Sequence, residues 1–235
     1  MYVIIILNDR TTRPGPGRTG YNYSSCFKKQ NRGVLCIERI RALILAAGMS
    51  SRMKEFKPLM MLRGRTVIEN TVDSALAGGA DSAVVVTGFR GDEVEARLRE
   101  RYGDRVLCVR NEAYGTTDML ESIRRGCRAM EACDAFFVLP GDIPLIREET
   151  FRALLAKRDG GKQIIFPTVS GRRKHPPLID SRFLPEIMDY YGTDGLRGLW
   201  KEHEQEILEV PVDDPGVCID LDTQDQYLKY KKQYE

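Results

Sequence analysis

A run of small residues follows an apolar segment, Arg41–Leu45, and two cations, Arg52 and Lys57, lie close behind it. Small side chains let a ligand approach the backbone closely, and the N–H groups of such a turn can hold phosphate oxygens. The two cations would neutralise the same phosphates. The spacing fits neither G-x-G-x-x-G nor GxxxxGK[ST]. The predicted triphosphate-binding residues are Leu45, Ala46, Ala47, Gly48, Ser50, Arg52 and Lys57.

Carboxylates follow two later segments of the chain. Asp142 comes directly after the apolar run Ala135–Leu139 and a Pro-Gly turn, where a carboxylate is well placed for a hard cation such as Mg²⁺ or, in its place, Mn²⁺. Asp220 and Asp222 alternate, so on an extended chain they point the same way, and one could supply a second metal ligand. The alternative is that Asp142, or Asp222 with Thr223, caps a following helix.

A basic segment lies between these two groups of carboxylates. Gly171–Pro177 reads GRRKHPP, with three cations and one histidine ahead of a short strand-like run. Such a cluster favours an anionic acceptor, with Arg173 and His175 as its candidate contacts. The alternative is a basic surface hairpin without a ligand.

Three of these segments together resemble the MobA-like nucleotidyltransferases. Leu45–Lys57, LAAGMSSRMKEFK, is similar to that superfamily's signature L-x-x-G-x-x-x-R-M-x-x-x-K. Leu139–Leu145 resembles the G-D-x-P motif, whose Asp binds the catalytic metal, and Asp220–Thr223 resembles the D-x-D-T segment that closes the active site. The resemblance covers about Ile40 to Tyr230. It implies a Rossmann-like nucleotidyltransferase fold.

Within the superfamily, the chain most resembles the molybdenum cofactor cytidylyltransferases. Their acceptor side carries a G-x-R-G-H-P-like segment and then G-D-x-G-x-R, which implies Arg173, His175 and Arg197 as acceptor contacts. Lys174 stands where that branch usually has Gly. Cytidylyl members resemble L-A-A-G and guanylyl members L-x-G-G, so Ala47 favours CTP over GTP.

The same resemblance gives a role to the segment Asn111–Ile123. It occupies the place of the family's N-x-x-x-x-x-G-x-x-x-S-[IL] loop and implies nucleotide contacts from Asn111 and Ser122. Thr117–Met119 replaces part of the usual Gly-rich stretch, which would be consistent with a different base or acceptor. The alternative, which we favour for Met119 and Leu120, is that Thr117 leads a helix and these two side chains face the core.

The implied reaction transfers a nucleoside monophosphate from an NTP to a phosphorylated acceptor. The resemblance implies that this acceptor is molybdopterin and that a molybdoenzyme is a further partner. We predict Lys57, Arg52 and Asp142 as the catalytic residues. Two rival functions stay open. One is a transferase acting on a sugar or alcohol phosphate. The other is a non-catalytic nucleotide sensor or cofactor-insertion chaperone on the same fold.

Helical and strand-like patterns alternate from Ile40 onward with short connections. This alternation predicts an α/β fold with a doubly wound, mostly parallel sheet and helices on both faces. Ligands in such sheets bind beyond the carboxyl ends of the strands, where the turns after Leu45 and Leu139 lie.

The bulk composition of the 235 residues limits the other function classes. Residues 1–39 carry a net charge of +5 and the remainder −3, so we predict a basic, disordered extension over 1–36 and one domain over 37–235. The alternative is a basic arm that contacts a partner. No long apolar run suggests a membrane span, and whole-chain charge does not favour nucleic acid. The six scattered cysteines lack a CxxC pair, which disfavours zinc and fits the cytoplasm.

Overall fold

The computed structural model describes residues 28–31, 34–49, 53, 55–192 and 194–234, with side chains from residue 38 onward. The strands are β1 Lys28–Asn31, β2 Val34–Ile37, β3 Ile40–Ala46, β4 Met61–Leu62, β5 Arg65–Thr66, β6 Ser82–Thr87, β7 Val106–Arg110, β8 Ala135–Pro140, β9 Ile164–Val169, β10 Arg172–Arg173, β11 Leu178–Asp180 and β12 Ile207–Pro211. The helices are α1 Val67–Ala77, α2 Gly91–Tyr102, α3 Met119–Ala129, α4 Glu148–Leu155, α5 Leu184–Asp189, α6 Leu196–Glu202 and α7 Gln224–Tyr234.

The main sheet has eight strands and is mostly parallel, as predicted. Strands β7, β6, β3 and β8 lie side by side and run in one direction. Strand β11 pairs antiparallel with both β8 and β9, and β12 pairs parallel with β9 at the far edge. Within this sheet, all strands except β10 and β11 therefore point their carboxyl ends to the same edge.

Helices cover both faces of this sheet because its central strands are apolar on both sides. In β3, Ala42 and Ile44 pack into the core beneath α1, α2 and α4. Leu43 points the opposite way, into the core that also holds residues of α3, α5 and α6. Alternation along a strand whose faces are both buried gives this continuous apolar run. The predicted doubly wound α/β fold is confirmed.

A tight hairpin explains the antiparallel strands. Val169 pairs with Arg172, and the two turn residues, Ser170 and Gly171, have φ of 50° and 69°. A two-residue turn with positive φ at both positions reverses the chain with the twist that strands prefer. The basic segment therefore lies in a hairpin, and the chain continues from it into β11 beside β8.

The amino-terminal segment is only partly described. Residues 28–31 and 34–37 form an antiparallel pair, β1 and β2, ahead of the main sheet. The rest of the predicted extension, residues 1–27 and 32–33, lies outside the described residues. The boundary at residue 36 thus stays a prediction. None of the helices in the described part of the chain has the length and apolar character needed to cross a bilayer.

Candidate active site

Lys57 lies between two carboxylates at the carboxyl edge of the sheet. Its Nζ is 3.1 Å from an Asp142 carboxylate oxygen and 2.8 Å from an Asp222 carboxylate oxygen. The lysine is only 7% exposed, because it begins a short 3-10 turn, Lys57–Leu59, whose Phe56 and Pro58 neighbours are buried. The three charges come together from segments 85 and 165 residues apart in sequence.

The backbone brings the two carboxylates to this place. Asp142 follows β8, which neighbours β3, and the Leu221 N–H donates to the Asp142 carbonyl oxygen at 3.4 Å. Asp142 caps no helix, since α4 begins after Arg147 without a side-chain cap. At α7 the capping contact comes from Thr223, whose Oγ1 accepts from the Gln226 N–H. The Asp222 carboxylate therefore remains directed at Lys57, while Thr223 caps the helix, as the alternative interpretation of this segment expected.

A cleft of about 390 Å³ opens beside this charge cluster. Its lining includes the predicted residues Leu45, Ala46, Ala47, Gly48, Lys57, Ser122 and Asp142. A Cβ built on Gly48 would meet no atom within 4 Å, so packing does not demand glycine there. Glycine at this position instead leaves the cleft open, as a backbone approach by phosphates requires.

Tyr114 is a cleft residue that the sequence reasoning missed. It lines the cleft and packs edge-on against Phe89, with ring centroids 6.3 Å apart. Gly88 makes room for it, since a Cβ there would lie 2.8 Å from the Tyr114 Cβ and 2.5 Å from the Ala47 carbonyl oxygen. The only available signal was an aromatic residue inside the segment Asn111–Ile123.

The carboxylate set fits a hard divalent cation. The Asp142 and Asp222 side chains are about one-third exposed towards solvent (31% and 32%), so they can reach a cation in the cleft. Burial, together with the negative charges of Asp142 and Asp222, raises the pKa of Asp220 above its ordinary value. Among the described residues, no three His, Cys, Asp or Glu side chains form a complete metal-binding group. Mg²⁺ commonly uses one or two carboxylates and completes its shell with water and substrate phosphates.

Asn111 holds the loop beside the cleft together by hydrogen bonds. Its side chain is fully buried; Nδ2 donates to Thr117 and Ser122 hydroxyls, each at 3.0 Å, and Oδ1 accepts from the Ala113 N–H. These bonds tie the loop after β7 to the first turns of α3. The helix cap is Asp118, whose carboxylate accepts from the Glu121 N–H, so the prediction that Thr117 leads the helix was wrong.

The two apolar residues at the start of α3 differ in their environment. Leu120 is 3% exposed and faces the core, as predicted. Met119 is 60% exposed and lines the cleft, so its predicted core position was wrong. Because Asp118 begins the helix one residue later than expected, Met119 occupies the first helical position, ahead of the face that packs on the sheet.

We expect Asn111→Ala to lower the free energy of unfolding by about 2 kcal/mol, because two hydroxyls and one N–H lose a buried partner. Chemical denaturation measures this change. Thr116→Ala is the matched control, since that exposed hydroxyl bonds only the Ala113 carbonyl oxygen. Unchanged stability with lost nucleotide binding would instead assign Asn111 a direct contact.

A second pocket of about 520 Å³ adjoins the first cleft. Leu45, Met119 and Pro140 line both, so they form a shared wall. The floor of the second pocket is apolar, with Ile123, Val138, Phe166 and Trp200. All three predicted acceptor contacts, Arg173, His175 and Arg197, line this pocket.

These three contacts differ in their surroundings. Arg173 bonds Glu209 at 2.7 Å and Glu204 at 3.1 Å, and its guanidinium lies over the Phe166 ring. Burial lowers the pKa of His175 below its ordinary value, which keeps the ring neutral near pH 7. Arg197 is exposed at the rim on the first turn of α6. Two predicted residues of the first cleft, Ser50 and Arg52, lie outside the described residues.

The chain is similar in sequence and in fold to known nucleotidyltransferases. Residues 42–207 match the family model of the MobA-like NTP transferase domain. The chain is 27% identical, over 83% of its length and 97% of the other protein's, to the Escherichia coli molybdenum cofactor cytidylyltransferase. A nucleotidyl transferase from Methanothermobacter thermautotrophicus is similar in structure, with 26% identity, a TM-score of 0.72, and coverage of 83% of this chain and 97% of that one.

A third protein shares the fold. It is Rv0371c from Mycobacterium tuberculosis, in a structure described as a complex with manganese, with 22% identity, a TM-score of 0.63, and coverage of 83% of this chain and 98% of that one. The family match spans well over half of the chain and includes the turn after β3, Lys57 and Asp142. The chain therefore belongs to the MobA-like NTP transferase family and is a nucleotidyltransferase by descent and by fold.

Proposed function

We propose that this chain transfers CMP from CTP to the terminal phosphate of a molybdopterin-type acceptor and releases pyrophosphate. The observation that carries the proposal is the Lys57 ammonium held between Asp142 and Asp222 beside a cleft that shares a wall with a second pocket. Two adjoining pockets that meet at a charged centre suit a donor and an acceptor whose phosphates must react.

The proposed chemistry needs no general base. An oxygen of the ionised acceptor phosphate attacks the α-phosphorus of the nucleotide, a new P–O–P linkage forms, and the bond to the β-phosphate breaks to release pyrophosphate. Catalysis then consists of positioning and charge neutralisation. Lys57 would hold the triphosphate and stabilise the charge that develops on it, and the backbone from Ala46 to Gly48 would cradle it. Arg52 would add a second cation.

Asp142 and Asp222 would hold a divalent cation, with Asp220 near them. When bound, Mg²⁺ or Mn²⁺ supplies positive charge that neutralises phosphate oxygens. The carboxylate chemistry of the site favours such oxygen-binding ions. A manganese-containing relative of the same fold is consistent with this assignment.

The choice of CTP and of the acceptor rests on finer features. Ala47 lies in the cleft within an L-A-A-G turn, which is the form that cytidylyl members have. The 27% identity to a molybdenum cofactor cytidylyltransferase extends over most of both chains. The second pocket adds an apolar floor with a basic rim, which suits a flat organic body that carries a phosphate.

A pyrophosphate-release assay tests the proposal. The enzyme is given Mg²⁺, molybdopterin and each of CTP, GTP, ATP and UTP in turn. We expect release with CTP and at least about tenfold less with the other three. Release with another NTP would contradict the base assignment, and binding of nucleotide without any release would favour the sensor interpretation. Release with a sugar phosphate but not with molybdopterin would contradict the acceptor.

A further inference from the structure

Four cations line the second pocket, and two of them are held by carboxylates of the protein. Arg173 bonds Glu204 and Glu209. Lys201 lies 2.9 Å from an Asp194 carboxylate oxygen. A phosphate that binds either cation must compete with these partners. Arg173 also joins the β9–β10 hairpin to the segment around β12, so its contacts are those of a structural clamp.

Lys174 is placed differently from its neighbour Arg173. Its N–H donates to the Pro167 carbonyl oxygen at 2.8 Å, which fixes this part of the backbone against β9. Its half-buried side chain lines the pocket. Among the residues with described side chains, no carboxylate oxygen pairs with it within 4.0 Å.

This position has an electrostatic consequence for any anionic acceptor. Three carboxylates, Asp142, Asp220 and Asp222, repel a phosphate that approaches the reaction centre from the second pocket. Lys57 faces the first cleft and is already shared by two of them. A cation on the acceptor side would offset this repulsion, and an ammonium group binds phosphate as a point charge without demanding one geometry.

We propose that Lys174 binds the phosphate of the acceptor, and that Arg173 positions the hairpin that carries Lys174. The acceptor class is a phosphate monoester on a flat, apolar body, because Ile123, Phe166 and Trp200 form the floor beneath. This inference rests on the proposed acceptor role of the second pocket. It replaces Arg173 with Lys174 as the phosphate contact.

Binding of phenyl phosphate tests the inference without turnover. Trp200 is the single tryptophan of the chain and lines the pocket, so its fluorescence reports occupancy. We expect Lys174→Gly to weaken phenyl phosphate binding about tenfold, since a charge-assisted contact is lost. Binding of phenol, which lacks the phosphate, should stay unchanged. Arg172→Gln is the matched control, because this exposed cation lies two residues away and outside the pocket lining.

Arg173→Gln separates the two roles. We expect it to lower the midpoint of thermal unfolding and to weaken phenyl phosphate binding less than Lys174→Gly does, because the hairpin loosens while the Lys174 charge remains. Equal phenyl phosphate affinity in Lys174→Gly and the native chain would overturn the inference. So would a loss of affinity in Arg173→Gln at unchanged thermal stability. The proposed function is judged separately by pyrophosphate release, so absence of transfer with every NTP would reject that function while the binding result still decides the role of Lys174.

Discussion

Replacing Lys57 with Met is expected to slow nucleotidyl transfer roughly a thousandfold, because the triphosphate loses the cation that neutralises it as charge develops. Met keeps much of the length and apolar stem of the lysine, so the buried 3-10 turn should still pack. Initial rates of pyrophosphate release at saturating CTP measure the effect. Lys162→Met is the matched control, since Lys162 pairs with Glu186 and lines neither pocket.

The stability of the same variant should change little by comparison. Lys57 is buried, but its two carboxylate partners are about one-third exposed and can be solvated once the ammonium is gone. We expect the free energy of unfolding to fall by about 1–2 kcal/mol, between the values for exposed and buried ion pairs. Full turnover in Lys57→Met would show that the cation has no part in catalysis. Collapse of the fold would mean that its main role is structural.

Variants of the carboxylates Asp142 and Asp222 should change how the rate of transfer depends on the metal concentration. Asp142→Asn and Asp222→Asn each keep an oxygen that can accept from Lys57, but each removes a negative charge. At the Mg²⁺ concentration that saturates the native chain, we expect the rate of transfer to fall about a hundredfold. The half-saturating Mg²⁺ concentration should rise at least about tenfold. Titration of the rate with Mg²⁺, and then with Mn²⁺, measures both effects.

Asp225→Asn is the control for these two variants. Asp225 is exposed in the first turn of α7, three residues beyond Asp222, and takes no part in the cluster. Its Mg²⁺ dependence should match that of the native chain. An unchanged Mg²⁺ dependence in both Asp142→Asn and Asp222→Asn would contradict the proposed metal ligands, even if their rates were low.

Much of the fold follows from local sequence patterns. Apolar residues recur at helical spacing over Val67–Ala77, and the helix has those bounds because Thr66 and Glu69 form a capping box at its start. Ser82–Thr87 is an apolar run between turn residues, a pattern that indicates a strand, and it forms β6. The antiparallel direction of β11 was not predicted, since it depends on the tight turn at Ser170–Gly171 and on pairing with distant strands.

The sequence predicted which residues belong to the candidate site, but not which of these residues contact one another. The sequence motifs identified Lys57, Asp142 and Asp222 separately. That one ammonium lies within 3.1 Å of both carboxylates depends on pairing between segments far apart in the chain. The same limit applies to Arg173, whose partners Glu204 and Glu209 lie 31 and 36 residues further on. Charge alone predicted Arg173 as a free phosphate contact.

Local cap geometry accounts for the error at Met119. A shift of the helix start by one residue changes the face of the helix on which its first side chains lie. Both Thr117 and Asp118 can act as the cap. The sequence offers an oxygen at both positions. Asn111 was predicted as a nucleotide contact, but its side-chain amide donates to the Thr117 and Ser122 hydroxyls of the protein itself.

The central claim is that this site breaks the bond between the α- and β-phosphates of a nucleotide and keeps the nucleoside monophosphate on the acceptor. Parallel reactions with CTP labelled at the α- or at the γ-phosphate, with Mg²⁺ and molybdopterin, test it most directly. We predict that the α-label appears in the acceptor product and the γ-label in pyrophosphate, and that Lys57→Met slows the appearance of both roughly a thousandfold. Release of the γ-label as inorganic phosphate, or retention of both labels in unreacted CTP, would contradict the account.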